Sequence, residues 1–375
     1  MKQLTGIPLA DINNAIIGKV TFKPVKKSIK HDFIFVEGKE KPETNYAATI
    51  LTERNHSMHG FSILCNPRDV ETLSDGDIIA IEPNGNINVL YEKNSIHNAL
   101  FVTERCNCYC IMCPQPPVAK EEEKTSLILK IISLIDEDAQ TLGITGGEPT
   151  LLGEQLIEII TTCKQRLPKT KLIILTNGIR LEDFDFVKKL MMIKHPDLTI
   201  DIPLHSDTDT EHNKIARVNG FYKTIQGLYN LARFSQKIGL RIVMHGLNYK
   251  RLPSLAEFIY HNFPFVSHIA FMQMETFGLA RDNLESVWID PYNYNEQLEK
   301  AVTYLWRRGM GVSIYNAQLC VIPKSLWKYA RKSISTWKNI YIDECDNCNY
   351  KNKCGGFFAS SLDIHSQHIQ AMKIN

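Results

Sequence analysis

Two rhythms of apolar and polar positions divide the chain. Up to about residue 95, short β-branched runs dominate, such as "HDFIFVEG" at 31–38 and "DGDIIAIEPNGNINVLYE" at 75–92. The second run contains Asn84-Gly85, a dipeptide that favours a tight hairpin turn, so a β-rich region is expected there. From residue 98 the rhythm changes. Six short apolar runs alternate with helical stretches: "NALFVT", "TLGITG", "KLIILT", "LTIDIPL", "LRIVMH" and "HIAFM". The intervening segments, among them "EQLIEIITTCKQRL" and "FYKTIQGLYNLARFSQ", place apolar residues at helical spacing. Apolar strands joined by amphipathic helices predict a parallel sheet with crossover helices. The pattern suits a doubly wound sheet and an incomplete barrel equally. After about residue 285 the alternation stops. A helix is expected over "YNEQLEKAVTYLWRRGM", a strand over "GVSIYN", and a surface tail over the last fifteen residues. The expected domains are therefore 1–95, 96–285 and 286–375.

In parallel α/β sheets the chemistry collects at the C-terminal ends of the strands. The unusual residues fall there. Four cysteines follow the first strand, "GGEPT" the second, "TNG" the third, "HS" the fourth and "HG" the fifth.

Composition narrows the function. With 43 basic and 41 acidic residues, net charge is +2, which gives no electrostatic reason to expect nucleic acid or an acidic membrane as partner. No apolar run is long enough to span a membrane. The start, "MKQLTGIPLADINNAI", has no apolar signal core, so a cytoplasmic location is expected. Ten cysteines is then a high count, because disulfides are rare in that compartment, and clustered thiols point to metal or redox chemistry. Eight of the ten form two groups. Cys65 stands apart, as does Cys163, which reads as a core residue of its helix.

In the first group, Cys106, Cys110 and Cys113 make C-x3-C-x2-C. Three thiolates can bind three irons of a [4Fe–4S] cluster and leave the fourth open to another ligand. Cys108 falls between these positions and is expected not to be a ligand. The second group is Cys320, Cys345, Cys348 and Cys354. Four thiolates close a site completely, which fits structural zinc as well as a fully ligated iron–sulfur cluster.

Over about residues 98–280, C-x3-C-x2-C followed by Gly-Gly-Glu-Pro resembles the radical S-adenosylmethionine (SAM) superfamily. The resemblance implies a partial (β/α)6 TIM-like barrel, here with a small β-rich N-terminal domain and a cysteine-rich C-terminal extension. It implies a [4Fe–4S] cluster on Cys106, Cys110 and Cys113 whose open iron chelates SAM. Reductive cleavage there releases a 5′-deoxyadenosyl radical that takes hydrogen from a substrate. It further implies that Gly146, Gly147 and Glu148 meet the methionine end of SAM, with Ser206 and Arg217 at the ribose or carboxylate. Asn177 reads as a turn residue, and His205 and His245 as structural histidines near the substrate cavity. Met112 stands where relatives often carry an aromatic residue, and is expected against adenine. The four C-terminal cysteines resemble a shortened auxiliary-cluster region of peptide-modifying members.

The wording "CNCYCIMCPQPP", "NAQLCVIPKSLW", "SISTWKN" and "CDNCNYKNKCGGFF" resembles, more narrowly, the C-type radical SAM maturases of His-Xaa-Ser systems. That implies a short ribosomally made peptide substrate, a second radical SAM protein of the same system, and a reductant such as flavodoxin or ferredoxin. The peptide is expected to lie extended across the barrel mouth, with the N-terminal region adding it as an edge strand. Two other classes remain: a radical SAM enzyme acting on a small molecule or an RNA nucleoside, and a zinc-binding protein without catalysis. "GGEP" argues against the last, which has no use for it.

Overall fold

The N-terminal β-branched runs form β1 (Gln3–Pro8), β2 (Ile16–Thr21), β3 (Phe33–Val36), β4 (Ala48–Leu51), β5 (Ser62–Cys65), β6 (Ile78–Ile81) and β7 (Asn86–Tyr91). The structure is a computed structural model that describes residues 3–11, 13–37, 45–52, 61–333 and 338–373. Among these residues the seven strands close into a barrel in the order β1-β5-β4-β3-β2-β6-β7. The core is aliphatic: Val20, Ile34, Ile50, Ile63, Ile79 and Ile87 are all fully buried. The Asn84-Gly85 turn joins β6 to β7 as an antiparallel hairpin. Gly85 has φ +86°, and a Cβ there would come within 2.1 Å of the Gly6 carbonyl oxygen. A side chain is therefore excluded on two counts. Closure also corrects one expectation. A closed barrel has no free edge, so the N-terminal region cannot take up a peptide as an added strand without opening.

The second sheet runs β15-β14-β13-β12-β11-β10-β9-β8, in sequence order throughout. Its strands are β8 (His97–Thr103), β9 (Thr141–Gly146), β10 (Lys171–Leu175), β11 (Leu198–Pro203), β12 (Lys237–Met244), β13 (His268–Gln273), β14 (Val312–Tyr315) and β15 (Ala330–Arg331). The register pairs from β10 to β15 are parallel. Helices α1 (Thr125–Leu134), α2 (Glu154–Arg166), α3 (Phe184–Met192), α4 (Asp209–Ala216), α5 (Phe221–Ala232) and α6 (Leu252–Asn262) lie between successive strands. The six expected strands are β8 to β13, and the expected α/β class with its parallel sheet, β-rich N-terminus and cysteine-rich C-terminus is the one observed. "GVSIYN" supplies β14, and β15 is a two-residue addition that carries no periodic signal.

The chain folds into two compact units. One comprises residues 1–100, 123–143 and 158–171; the other comprises 101–122, 144–157 and 172–375. The first therefore includes α1 and most of α2 as well as the small barrel. Within it, Asp136 pairs with Lys19 and Lys93, and Asp32 with Lys130. The second unit contains both cysteine groups. It also holds the C-terminal residues, which are not the expected surface tail. Ser366 is buried, and Met372 accepts the Asn349 N–H while its own N–H reaches Cys348 Sγ.

Candidate functional site

The cysteine loop leaves β8 and is held at both ends by backbone. Tyr109 and Ile111 donate to the carbonyls of Ala216 and Ile215 at the end of α4, and Leu279 donates to Cys113 O at 2.8 Å. The Gly-Gly-Glu turn after β9 binds the same loop. Gly147 N–H donates to Thr103 O at 2.7 Å and Glu148 N–H to Arg105 O at 2.8 Å. A Cβ on Gly146 or Gly147 would lie 2.1 or 2.2 Å from those same oxygens. The two glycines thus permit a close approach, and the approach seen is to the chain's own backbone.

Glu148 is fully buried. Its Oε1 accepts from the Thr150 N–H, the Thr150 hydroxyl and the Thr176 hydroxyl, and its Oε2 from the Asn177 N–H at 2.6 Å. Burial pushes its pKa up, against the four donors that favour the charged form. In this arrangement Glu148 fastens the end of β9 to the end of β10. Asn177 does more than turn the chain. Its Oδ1 accepts from Ile179 N–H, while Nδ2 donates to Asn107 Oδ1 at 2.6 Å and lies 3.3 Å from Cys108 Sγ. The sequence signal for that role was only its place at a strand end.

Cys106, Cys110 and Cys113 are half-buried, Cys108 is buried, and all ten cysteines are free. The Cys108 thiol hydrogen-bonds to both Cys106 and Cys110, and these bonds with burial raise its pKa strongly. The same Cys108 contact holds Cys106 down at about 7, against burial. Burial pushes Cys113 up to about 11. Three thiols within electrostatic reach of one another on one braced loop are a donor set that fits a [4Fe–4S] cluster. Met112 does not stand open for an adenine. It packs with Ile215, Met274, Ala280 and Val287, and against Cys110 and Trp288.

Ser206 is buried after β11, where its hydroxyl donates to Glu211 Oε2 at 3.1 Å. Around it, Arg251 holds Asp207 and Glu211, a cation that no motif marks in the sequence. Arg217 follows α4 with φ +54°, and its exposed guanidinium reaches Asn283 Oδ1 at 3.0 Å. Asn283 in turn donates to Ile111 O in the cysteine loop. His205 is buried and its backbone N–H donates to Nδ1 of His212.

The C-terminal group also assembles. Cys320, Cys345, Cys348 and Cys354 line one small cavity of about 10 Å³, with Gln370 and Met372 of the chain's end on its wall. Backbone N–H groups point at the sulfurs, from Leu319 to Cys354 and from Met372 to Cys348, each at 3.4 Å. Among the described residues, no three His, Cys, Asp or Glu side chains converge closely enough to chelate a single ion.

Next to this cavity, sharing Gln318 and Phe357 with it, is a narrow crevice of about 30 Å³, partly open to solvent. It starts at the ends of β12 and β13, with Met244, His245, Gln273 and Met274 on its wall. Among the described residues, no Lys, Arg, Asp or Glu lines it. It shares Met274, Val287 and Trp288 with the apolar cluster behind Cys110 and Met112, so it lies one side-chain layer from the first cysteine loop.

Residues 100–259 match the family model described as Radical SAM superfamily. The match covers less than half of the chain and contains the stretch that holds C-x3-C-x2-C and Gly-Gly-Glu-Pro. Among characterised proteins, the chain is 28% identical over 214 residues to the GTP 3′,8-cyclase of Campylobacter jejuni subsp. doylei, covering 54% of this chain and 65% of that one. It is 30% identical over 150 residues to the GTP 3′,8-cyclase of Clostridium acetobutylicum, covering 39% and 46%. The chain thus spans less than two thirds of these relatives' length. Among solved structures, Streptococcus suis SuiB bound to S-adenosylmethionine superposes with a TM-score of 0.45 at 16% identity, covering 59% of this chain and 47% of that one.

Proposed function

We propose that this protein is a radical SAM enzyme that modifies a ribosomally synthesised peptide of the His-Xaa-Ser type. The observation that carries the peptide reading is the uncharged crevice between the two cysteine groups. A nucleoside triphosphate buried there would find no Lys or Arg among the described wall residues to face its phosphates, a desolvation cost of several kcal/mol per charge (on the order of 5). A peptide brings uncharged side chains and amides, which such a wall accepts.

Cys106, Cys110 and Cys113 would hold the [4Fe–4S] cluster, which supplies the electron that breaks a carbon–sulfur bond of SAM. The chain's part is to brace the loop through Ala216, Ile215 and Leu279 and to exclude water behind it with Met112, Met274 and Val287. Cys320, Cys345, Cys348 and Cys354 hold an auxiliary [4Fe–4S] cluster in this reading. Thiols that surround a cavity, with amide donors on the sulfurs, suit a multi-iron cluster more than a single zinc ion. A flavodoxin or ferredoxin as reductant, and a second radical SAM protein of the same system, belong to the same proposal.

The similarity to GTP 3′,8-cyclases favours a second reading, in which the substrate is a small nucleotide. One experiment separates the two. The anaerobically reconstituted protein is incubated with SAM and dithionite, with either a synthetic His-Xaa-Ser peptide or GTP, and the products are weighed by mass spectrometry. A mass change on the peptide supports the first reading, and conversion of GTP with an unaltered peptide rejects it.

A further inference from the structure

His245 is 1% exposed, and its two ring nitrogens have different fates. Nδ1 accepts the backbone N–H of Leu247 at 3.2 Å. A neutral imidazole that accepts at Nδ1 carries its proton on Nε2. Burial keeps the ring neutral, with its pKa pulled down to about 4. Nε2 is therefore a donor, and it has no hydrogen-bond partner among the described residues. An unmet buried donor is costly, so such groups mark places where a ligand or water completes the site. The ring lines the crevice described above.

Gln273 faces the same space. It is 7% exposed, and its amide nitrogen finds no partner at bonding distance among the described residues, although the amide is near enough to Tyr294 to act on its hydroxyl. Two donors, with no Lys or Arg among the described wall residues, define what fits. The occupant offers an oxygen acceptor and carries no charge, since a carboxylate or phosphate would be stripped of water with nothing to balance it. Met244, Met274, Trp288 and Phe358 supply an apolar surround.

We infer that His245, through Nε2–H, holds one uncharged carbonyl oxygen of the substrate peptide in this crevice and so positions the residue to be modified, an inference that rests on the peptide reading above. The location suits the task. The crevice is one side-chain layer from the cysteine loop and shares two residues with the auxiliary cavity. His245 acts here as a positioning residue.

The test uses an acetylated, amidated peptide of three His-Ala-Ser repeats, titrated by calorimetry into the reconstituted holoenzyme with SAM bound. Two variants separate the two nitrogens. His245→Asn can keep the Leu247 bond but removes the donor into the crevice. His245→Gln keeps a donor near Nε2 but loses the Leu247 bond. Loss of one hydrogen bond to a buried group should weaken peptide binding about tenfold in His245→Asn, and only about threefold in His245→Gln. A purely structural histidine gives the opposite order. Equal affinities, or tighter binding by His245→Asn, would overturn the inference while leaving the peptide reading intact. If both variants lose iron or fail to fold, Gln273→Met decides: weaker peptide binding supports the crevice, and unchanged binding rejects it. If the wild-type enzyme binds GTP and not the peptide, the functional reading fails and the inference with it.

Discussion

The Thr176 hydroxyl donates to Glu148 Oε1 at 2.6 Å, joining the residue that follows β10 to the acid that follows β9. Both side chains are buried, at 4% and 0% exposure. The bond lies directly behind the cysteine loop, because Glu148 N–H and Gly147 N–H hold the backbone of Arg105 and Thr103.

Replacing Thr176 by Val keeps the volume and removes the donor. The Glu148 carboxylate then loses one of its bonds without access to water, which should cost about 1–3 kcal/mol. Urea unfolding of the anaerobic holoenzyme measures this directly. A midpoint equal to wild type would show that the carboxylate finds another donor.

The small barrel and α1 belong to one unit, and Asp136 is its ionic junction. It meets Lys93 at 3.1 Å and also binds Lys19. Burial raises its pKa, but the bonds from Lys19 and Lys93 outweigh that and hold it below the usual carboxylate value. The side chain is 39% exposed, so solvent screens the pair. Asp136→Asn should therefore destabilise by only about 0.5–1 kcal/mol, and less in high salt. An effect independent of salt would mean that shape, not charge, is lost.

How legible this molecule was depends on the range of the interaction. Period-2 and period-3.6 patterns are local, so the six strands from "NALFVT" to "HIAFM" could be read directly, as could the Asn84-Gly85 hairpin. Closure of the small barrel could not, because β1 pairs with β5 and β7, partners about sixty and eighty positions away with no mark in the local pattern. Cysteine spacing drew attention to both thiol groups. The burial of Glu148 and Met112 depends on which distant segments cover them. Likewise, "SLDIHSQHIQAMKIN" is polar enough to look like a tail, yet Met372 and Gln370 close over Cys348 and Cys320. Of the quoted motif "SISTWKN", positions 334–337 lie outside the described residues.

Acid should weaken the fold through its buried histidines. Burial pulls His212 and His245 down to about 4, and His205 well below its ordinary value with His212 and His245 adding repulsion. All three are neutral in the fold. Near pH 6.5 the unfolded chain begins to take up protons that the folded chain refuses. Their stabilising contribution is complete above about 6.5 and is lost as pH falls, by up to about 3 kcal/mol for His212 and for His245 as pH approaches 4. His212→Asn offers an acceptor for the His205 N–H without titrating. Its urea midpoint should fall less steeply between pH 7 and 5 than that of wild type. An identical slope would place the acid sensitivity elsewhere.

Iron content resolves the roles of the eight grouped cysteines. With Cys106, Cys110 and Cys113 all changed to Ala, the chain should keep about four irons, the content of one four-iron cluster, and lose reductive cleavage of SAM. With Cys320, Cys345, Cys348 and Cys354 changed instead, about four irons should again remain, now with SAM cleavage retained. Cys108 is the instructive single change. Its thiol is in hydrogen-bond contact with Cys106 and Cys110 and accepts from Asn177 Nδ2, so it supports the ligands without being one in this reading. Cys108→Ala should then hold about eight irons, two full clusters, with a changed reduction potential at the first because hydrogen bonds to its sulfurs are altered. Loss of four irons from Cys108→Ala would make Cys108 a ligand after all. Zinc in place of iron in the chain lacking the first three cysteines would make the C-terminal site a structural zinc centre.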